Sequence, residues 1–204
     1  MSNYLMLNNK KIELTPEQVK EIENSFDFNK CMLKNIEVGD TFKVGDFEFV
    51  VLEHCEETTA VILKEFWKTD SFDSNFNDYK ESEIRKQLNE DFYNNLSDCV
   101  GGENIVKHTV DLTADDGKTD YGYCEDFVSL LTCEMYRKYV YILDKHKIDE
   151  WWWLVTPYST KSNNYEKLVR CVSNFGTLDY NDCNYFSCGV RPFCILKSNI
   201  FVSK

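Results

Sequence analysis

Short stretches of alternating apolar and polar residues open the main body of the chain, and this period of two predicts β-strands. Thr41–Val44 and Phe47–Leu52 flank Gly45-Asp46, a residue pair typical of a tight hairpin turn. A third strand is predicted at Thr59–Leu63, after a polar turn. These segments therefore predict a β-meander.

Apolar residues then recur every four positions, a spacing that indicates amphipathic helices. The strongest example is Ser82–Leu96, and a shorter helix is predicted at Thr132–Val140. Near the N-terminus, Thr15 and Gln18 have the spacing of a capping box and predict the start of a helix over Pro16–Phe26.

The last third of the chain returns to strand patterns. The predicted strands are Trp152–Val155, Leu168–Ser173, Thr177–Tyr180 and Val190–Leu196. Pro192 lacks a backbone N–H, so we expect it at an edge, a bulge or a strand end. Strands, then helices, then strands predict one α+β domain over residues 31–204, with antiparallel sheets and two main helices. Residues 1–30 are predicted to form a short strand–helix preface.

Composition and charge narrow the class of protein. The chain has 204 residues, of which 43% are apolar and 15% aromatic, enough to build one folded domain. Its net charge is -12, which disfavours direct contact with nucleic acid and favours a basic protein partner or simply solubility. The segment Asp111–Asp126 alone holds six carboxylates against Lys118.

The lack of export and membrane signals and the pattern of cysteines both predict a cytoplasmic protein. No apolar stretch is long enough for a signal peptide or a membrane span, so we expect a cytoplasmic protein without a membrane partner. The nine cysteines are an odd number without a framework, and we expect free thiols in a reducing compartment. The four C-terminal cysteines lack the C-x-x-C pairs of zinc sites, so we expect no metal.

Catalytic and cofactor chemistry finds little support. His54 and Cys55 are adjacent, and in a strand they point to opposite faces, which argues against a nucleophile–base pair. Asp115, Asp116 and Asp120 surround Gly117, but the segment lacks the loop pattern of an EF-hand. Phosphate-loop, dinucleotide-binding and serine-hydrolase motifs are absent from the sequence, and we expect no cofactor.

Two segments are candidates for partner binding. The first is a loop predicted over Asp179–Ser187, whose tyrosine and amide side chains are typical of recognition surfaces. Its candidate binding residues are Asp179, Tyr180, Asn181, Asn184 and Tyr185. The second is the acidic segment, with Asp115, Asp116 and Asp120 as candidates.

Several motifs in order resemble those of an uncharacterised family of bacterial and prophage proteins. The family pattern is W-W-L-x-[ST]-P, V-x-x-x-G and G-V-R-P, preceded by a helix and a strand. The matching residues include Trp152, Trp153, Gly176, Gly189, Arg191 and Pro192. Upstream, Ser82–Leu96 and Asp126–Thr132 are similar to the family's helix and strand.

The resemblance implies a C-type-lectin-like fold, related to formylglycine-generating enzymes and to phage receptor-binding domains, and it implies binding rather than catalysis. Lys11–Gln18 resembles a preface of phage-encoded proteins, which implies a phage or prophage origin. We expect Trp152 and Leu154 on one side of a strand, with Trp151 and Trp153 on the other. Arg191 is expected to hold backbone carbonyls or a carboxylate.

Three functions follow as hypotheses. The first is a non-enzymatic recognition domain. The second is an acidic, anti-CRISPR-like inhibitor of a host defence nuclease, which would cover a nucleic-acid groove by mimicry. The third is a thiol enzyme.

Overall fold

Most strands belong to two sheets, one of eight strands and one of five. The computed structural model describes residues 4–7, 10–25 and 30–204. In chain order, the strands are β1 (Tyr4–Leu7), β2 (Lys10–Glu13), β3 (Lys30–Met32), β4 (Thr41–Val44), β5 (Phe47–His54), β6 (Thr58–Leu63), β7 (Lys68–Asp70), β8 (Ile105–Val106), β9 (His108–Asp111), β10 (Tyr123–Asp126), β11 (Val128–Ser129), β12 (Trp152–Pro157), β13 (Leu168–Val172), β14 (Leu178–Asp182), β15 (Cys188–Val190), β16 (Phe193–Lys197) and β17 (Phe201–Ser203).

Two long helical segments, over residues 83–100 and 133–143, pack on these sheets. The helices are α1 (Pro16–Ser25), α2 (Glu83–Gln87), α3 (Tyr93–Val100) and α4 (Cys133–Leu143). A π-helical turn, Leu88–Phe92, joins α2 and α3 into one helical segment over 83–100. Among the described residues, no helix is long and apolar enough to cross a membrane.

The sheets follow the predicted meander and extend it. The larger sheet has the order β11-β16-β6-β5-β4-β17-β3, with β8 paired to β16. The smaller sheet has the order β14-β13-β12-β15-β7, in which only the β12–β15 pair is parallel. Two further antiparallel pairs join β1 to β2 and β9 to β10. The predicted α+β class, with antiparallel sheets and two main helices in one compact domain, is confirmed.

Local capping signals hold where they were expected. The Thr15 hydroxyl accepts from the Gln18 amide, and the Gln18 side chain accepts from the Thr15 amide. Thr132 caps α4 by accepting from the Met135 amide. The described part of α1 covers Pro16–Ser25, and Phe26, its predicted end, lies outside the described residues.

Strand β12 is buried on both faces, which accounts for its run of tryptophans. Trp152 and Leu154 pack in a cluster with α4, whereas Trp153 packs in a second cluster with residues of the 83–100 helix. The predicted alternation is confirmed, although both sides are core. Trp151, half-buried, packs against the same cluster as Trp153.

The predicted single strand Val190–Leu196 is wrong, because the chain changes sheets inside it. Strand β15 ends at Val190 in the smaller sheet, and β16 begins at Phe193 in the larger one. Pro192 lies between the two strands, where a missing N–H costs no ladder bond. Strand β15 lies next to β12 in the smaller sheet, since Trp152 pairs with Gly189.

Arg191 connects the two sheets at this crossing. It is 1% exposed, and its Nε donates to the Leu63 carbonyl at 2.8 Å. Nη2 donates to the carbonyls of Lys64 and His146, and the guanidinium carbon lies 5.2 Å from the Trp152 ring centre. Burial lowers the pKa of Arg191 to about 10. Of the two expected partners, Arg191 therefore uses backbone carbonyls.

Gly176 and Gly189 occupy their positions for separate structural reasons. Gly176 closes the β13–β14 hairpin with a φ of +79°, a backbone conformation that favours glycine. Gly189 instead leaves room for the Phe66 ring, because a Cβ atom at this position would lie 2.3 Å from it. Gly189 therefore allows Phe66 to pack directly on the backbone of β15.

Candidate functional site

The first predicted recognition segment is half strand and half turn. Leu178–Asp182 forms β14, the edge strand of the smaller sheet, so Asp179, Tyr180 and Asn181 do not lie in a loop. The hydrogen bonds to β13 order this segment despite its polar sequence, and at a sheet edge polar side chains can still meet water. Only Cys183–Ser187 forms the connection that was predicted over Asp179–Ser187.

Three tyrosines meet beside this edge strand. The Tyr158 ring centre lies 5.4 Å from that of Tyr165 and 5.1 Å from that of Tyr180. Tyr165 is 48% exposed and Tyr180 47% exposed. Arg170 pairs with Tyr180 across β13 and β14, and its guanidinium carbon lies 4.7 Å from the Tyr158 ring centre. We call Tyr158, Tyr165, Tyr180 and Arg170 the tyrosine surface.

Asp115 joins the acidic segment to the tyrosine surface. Its Oδ2 accepts from Arg170 Nη2 at 2.5 Å, and its Oδ1 accepts from Arg137 Nη2 at 3.1 Å. The carboxylate thus bridges β13 and α4. The structure therefore brings two separately predicted segments together, but the Asp115 charge is balanced by arginines that lie 22 and 55 residues away in sequence.

Asp116 and Asp120 are engaged by a neighbouring loop. Their side-chain donors all lie between residues 159 and 163: Ser159 and Asn163 for Asp116, and Thr160 and Ser162 for Asp120. Hydrogen bonds from Ser159 and Thr160 are the main causes that lower the pKa of Asp116 and Asp120, respectively. The two carboxylates therefore hold the loop that precedes Tyr165.

This arrangement does not form a cation site. Asp115 faces two arginines, whereas Asp116 and Asp120 accept from hydroxyl and amide groups. Within the described part of the chain, no group of three or more histidine, cysteine or acidic residues is placed to hold a metal ion.

One buried asparagine that was not among the predicted site residues holds these loops together. Asn77 is completely buried, and its Nδ2 lies 2.8 Å from the carbonyl oxygens of Ser159, Tyr165 and Leu168. Its Oδ1 accepts from the Tyr121 hydroxyl at 2.8 Å. Asn77 lies in a polar stretch without periodicity, so no local signal distinguishes it from a solvent-exposed asparagine.

The edge of β14 is protected against pairing with another strand. The Tyr180 amide donates to Asp179 Oδ1 at 2.9 Å, and the Asp182 amide donates to Asn181 Oδ1 at 3.2 Å. These side chains satisfy backbone donors that an added strand would need. Asp179 and Asn181 therefore cover the edge, and contact by side chains is favoured over strand addition.

A second aromatic pair lies in the turn after β14. Asn184 and Tyr185 are exposed, and the Tyr185 ring centre lies 6.2 Å from that of Phe186, which is 74% exposed. Buried Cys183 anchors the turn, because its carbonyl accepts from the Phe72 amide and its amide donates to the Lys167 carbonyl. The turn therefore presents its aromatic rings from a fixed base.

The acidic segment carries less free charge than its sequence suggests. Asp126 is 2% exposed, and both of its oxygens accept from Arg85. Together with Asp115, this leaves four of the six carboxylates outside ion pairs with arginine. The segment is therefore not a continuous stripe of unpaired carboxylates.

Burial raises the pKa of five cysteine thiols. It raises the pKa of Cys133 and Cys183 to about 11 and that of Cys124 to about 12. Burial also raises the pKa of Cys188 and Cys194. A thiol needs its thiolate form to act as a nucleophile, so these five are poor candidates.

His54, the neighbour of Cys55 in the sequence, is half-buried and hydrogen-bonded to other residues. Its Nδ1 lies 2.9 Å from the Thr59 hydroxyl, and its Nε2 lies 2.8 Å from the Ile36 carbonyl. Both ring nitrogens therefore have partners other than Cys55, in agreement with the sequence argument against a nucleophile–base pair.

Comparison with known proteins gives a family without an activity. A family model described as a domain of unknown function, DUF6273, matches residues 57–198. No curated protein and no solved structure matches the chain. The matched range includes the whole tyrosine surface, the acidic segment and the crossing at Arg191.

Proposed function

The chain belongs to the DUF6273 family of domains of unknown function, and from this premise we propose that it is a non-enzymatic recognition domain. It binds a protein partner through the tyrosine surface. In this proposal the fold is C-type-lectin-like and the origin is a phage or prophage, as the sequence motifs imply.

The grouping of three tyrosine rings carries the proposal. Tyrosine offers a large contact area and a hydroxyl at a low cost in conformational entropy, which suits recognition surfaces. Tyr158 contacts both other rings, and Arg170 packs over it, so ordering these side chains on binding costs little. Tyr165 and Tyr180 each keep about half of their surface for a partner.

The surroundings of the tyrosine surface support this function. Asn77 and the two loop-holding aspartates keep the 158–168 connection in place. A binding surface on a fixed scaffold loses less entropy when it meets its partner. The capped edge of β14 favours contact by side chains, which is the mode that tyrosines serve.

The other two hypotheses receive less support. Nucleic-acid mimicry needs unpaired carboxylates in a row, whereas Asp115 and Asp126 are paired with arginines. A thiol enzyme needs an acidic thiol, whereas burial raises the pKa of five cysteines. Recognition by the tyrosine surface needs neither.

Capture from bacterial lysate with matched variants tests the proposal. Wild-type chain, Tyr165→Ser/Tyr180→Ser and Tyr141→Ser are immobilised, and the retained proteins are quantified by mass spectrometry. Tyr141 lies on α4 and is 84% exposed, so its replacement controls for loss of an exposed tyrosine. We expect a partner that wild type and Tyr141→Ser retain and the double variant loses. Equal retention by all three would refute the assignment of the surface.

A further inference from the structure

A hollow rich in aromatic and acidic groups lies at the tip of the β4–β5 hairpin, on elements other than those of the tyrosine surface. The hollow has a volume of about 330 Å³. Three aromatic and three acidic residues line it: Phe47, Phe66, Trp67, Asp46, Glu48 and Glu65. We call these six residues the acidic–aromatic groove.

The aromatic walls of the groove are fixed by the core. The Phe92 ring centre lies 5.0 Å from that of Phe47 and 5.4 Å from that of Trp67. Phe66 packs directly on Gly189, where a Cβ atom would lie 2.3 Å from its ring. These contacts hold the three rings in place before any ligand arrives.

Two lysines beside the groove show that its carboxylates and rings attract positive charge. Lys64 Nζ donates to Glu48 Oε1 at 3.1 Å, and Lys68 Nζ lies 4.7 Å from the Trp67 ring centre. Neither lysine is among the residues that line the hollow. Asp46 and Glu65 are exposed and form no ion pair within the described residues, so two carboxylates remain for a further cation.

We propose that the acidic–aromatic groove binds an arginine side chain of a basic protein segment. A guanidinium group stacks on aromatic rings and donates in pairs to carboxylates, so it matches both kinds of group here. The net charge of -12 attracts a basic segment toward the chain. This site is independent of the tyrosine surface and does not rest on the proposed function.

A short peptide tests the groove directly. The peptide acetyl-Arg-Gly-Arg-amide is titrated into the full ¹⁵N-labelled chain, and the indole N–H signal of Trp67 is followed by NMR. We expect a saturable shift of this signal, while the indoles of the buried Trp152 and Trp153 stay in place. The citrulline analogue keeps the shape without the charge and should not bind. An equal shift with citrulline, or no shift with arginine, would overturn the proposal.

Isosteric variants distinguish this groove from general attraction to an acidic protein. Asp46→Asn/Glu65→Gln should weaken peptide binding about fivefold or more. Glu56→Gln/Glu57→Gln removes the same charge beyond the other end of β5 and should leave binding within about twofold of wild type. Equal weakening by both pairs would overturn the proposal. The Tyr165→Ser/Tyr180→Ser variant should bind the peptide normally, so a failed tyrosine surface and a failed groove give different results.

Discussion

Replacing Asn77 by alanine is the sharpest test of how the site is held. Asn77 is completely buried and reaches three backbone carbonyls of the 158–168 connection through one amide group. It also accepts from the hydroxyl of Tyr121. The alanine variant removes all four contacts without replacing any residue of the tyrosine surface.

The expected loss of stability follows from what each partner retains. The Leu168 carbonyl still accepts from the Tyr158 amide, and the Tyr165 carbonyl from the Leu168 amide. The Ser159 carbonyl loses the partner that Asn77 provides. The Tyr121 hydroxyl loses its acceptor, although it still accepts from the Lys161 amide. A buried polar group without a partner costs about 1–3 kcal/mol, so we expect a loss of about 2–4 kcal/mol.

Urea unfolding measures the loss of global stability, and amide exchange measures the loss of local order in the 158–168 connection. With a slope of about 2–3 kcal/mol per molar urea, the unfolding midpoint should fall by about 1 M. Amide exchange should accelerate most in residues 158–168, because these carbonyls lose their common anchor. Asn75→Ala, at an exposed asparagine two positions away, is the control. If Asn77→Ala unfolds at the same midpoint as Asn75→Ala, Asn77 does not hold the site.

Three further predictions follow from single contacts. Gly189→Ala should destabilise the fold by about 1–3 kcal/mol in urea unfolding, because its Cβ would meet the Phe66 ring; full stability would show that the ring moves freely. The pKa of Asp120 is lowered in the folded chain, so its contribution to loop order is present at neutral pH and is lost as the pH falls below about 4. NMR of the loop should show this change in wild type but not in Asp120→Asn. A thiol reagent should modify exposed Cys55 and Cys99 first and reach nine thiols after unfolding, without zinc release; a bound zinc ion would contradict this.

Local patterns predicted much of the fold because their causes lie within a few residues. The capping pair at Thr15 and Gln18 and the Gly45-Asp46 hairpin each depend on near neighbours, and both are observed. The i+4 apolar repeat likewise predicted the 83–100 helix, although not the π-helical turn within it. The sheet change at Arg191–Pro192 depends on pairing with distant strands, so the apolar run around it predicted one strand instead of two.

The candidate site was only partly predictable for the same reason. Tyr180 and Asp115 were both expected to bind, but their common neighbour Arg170 is joined to them by strand pairing and a long-range ion pair. Tyr158 and Asn77 carry no sequence pattern that marks their roles. Side chains that meet through tertiary packing cannot be grouped from spacing along the chain.

The affinity of the captured partner for the tyrosine variants shows whether the tyrosine surface is the binding site. The partner is purified, and its Kd is measured by biolayer interferometry against wild type, Tyr165→Ser/Tyr180→Ser and Tyr141→Ser, each shown to be folded by circular dichroism. We expect the double variant to bind at least about tenfold more weakly, because clustered aromatic contacts dominate interfaces, while Tyr141→Ser stays within about twofold of wild type. A double variant that is folded and binds as tightly as wild type would contradict it.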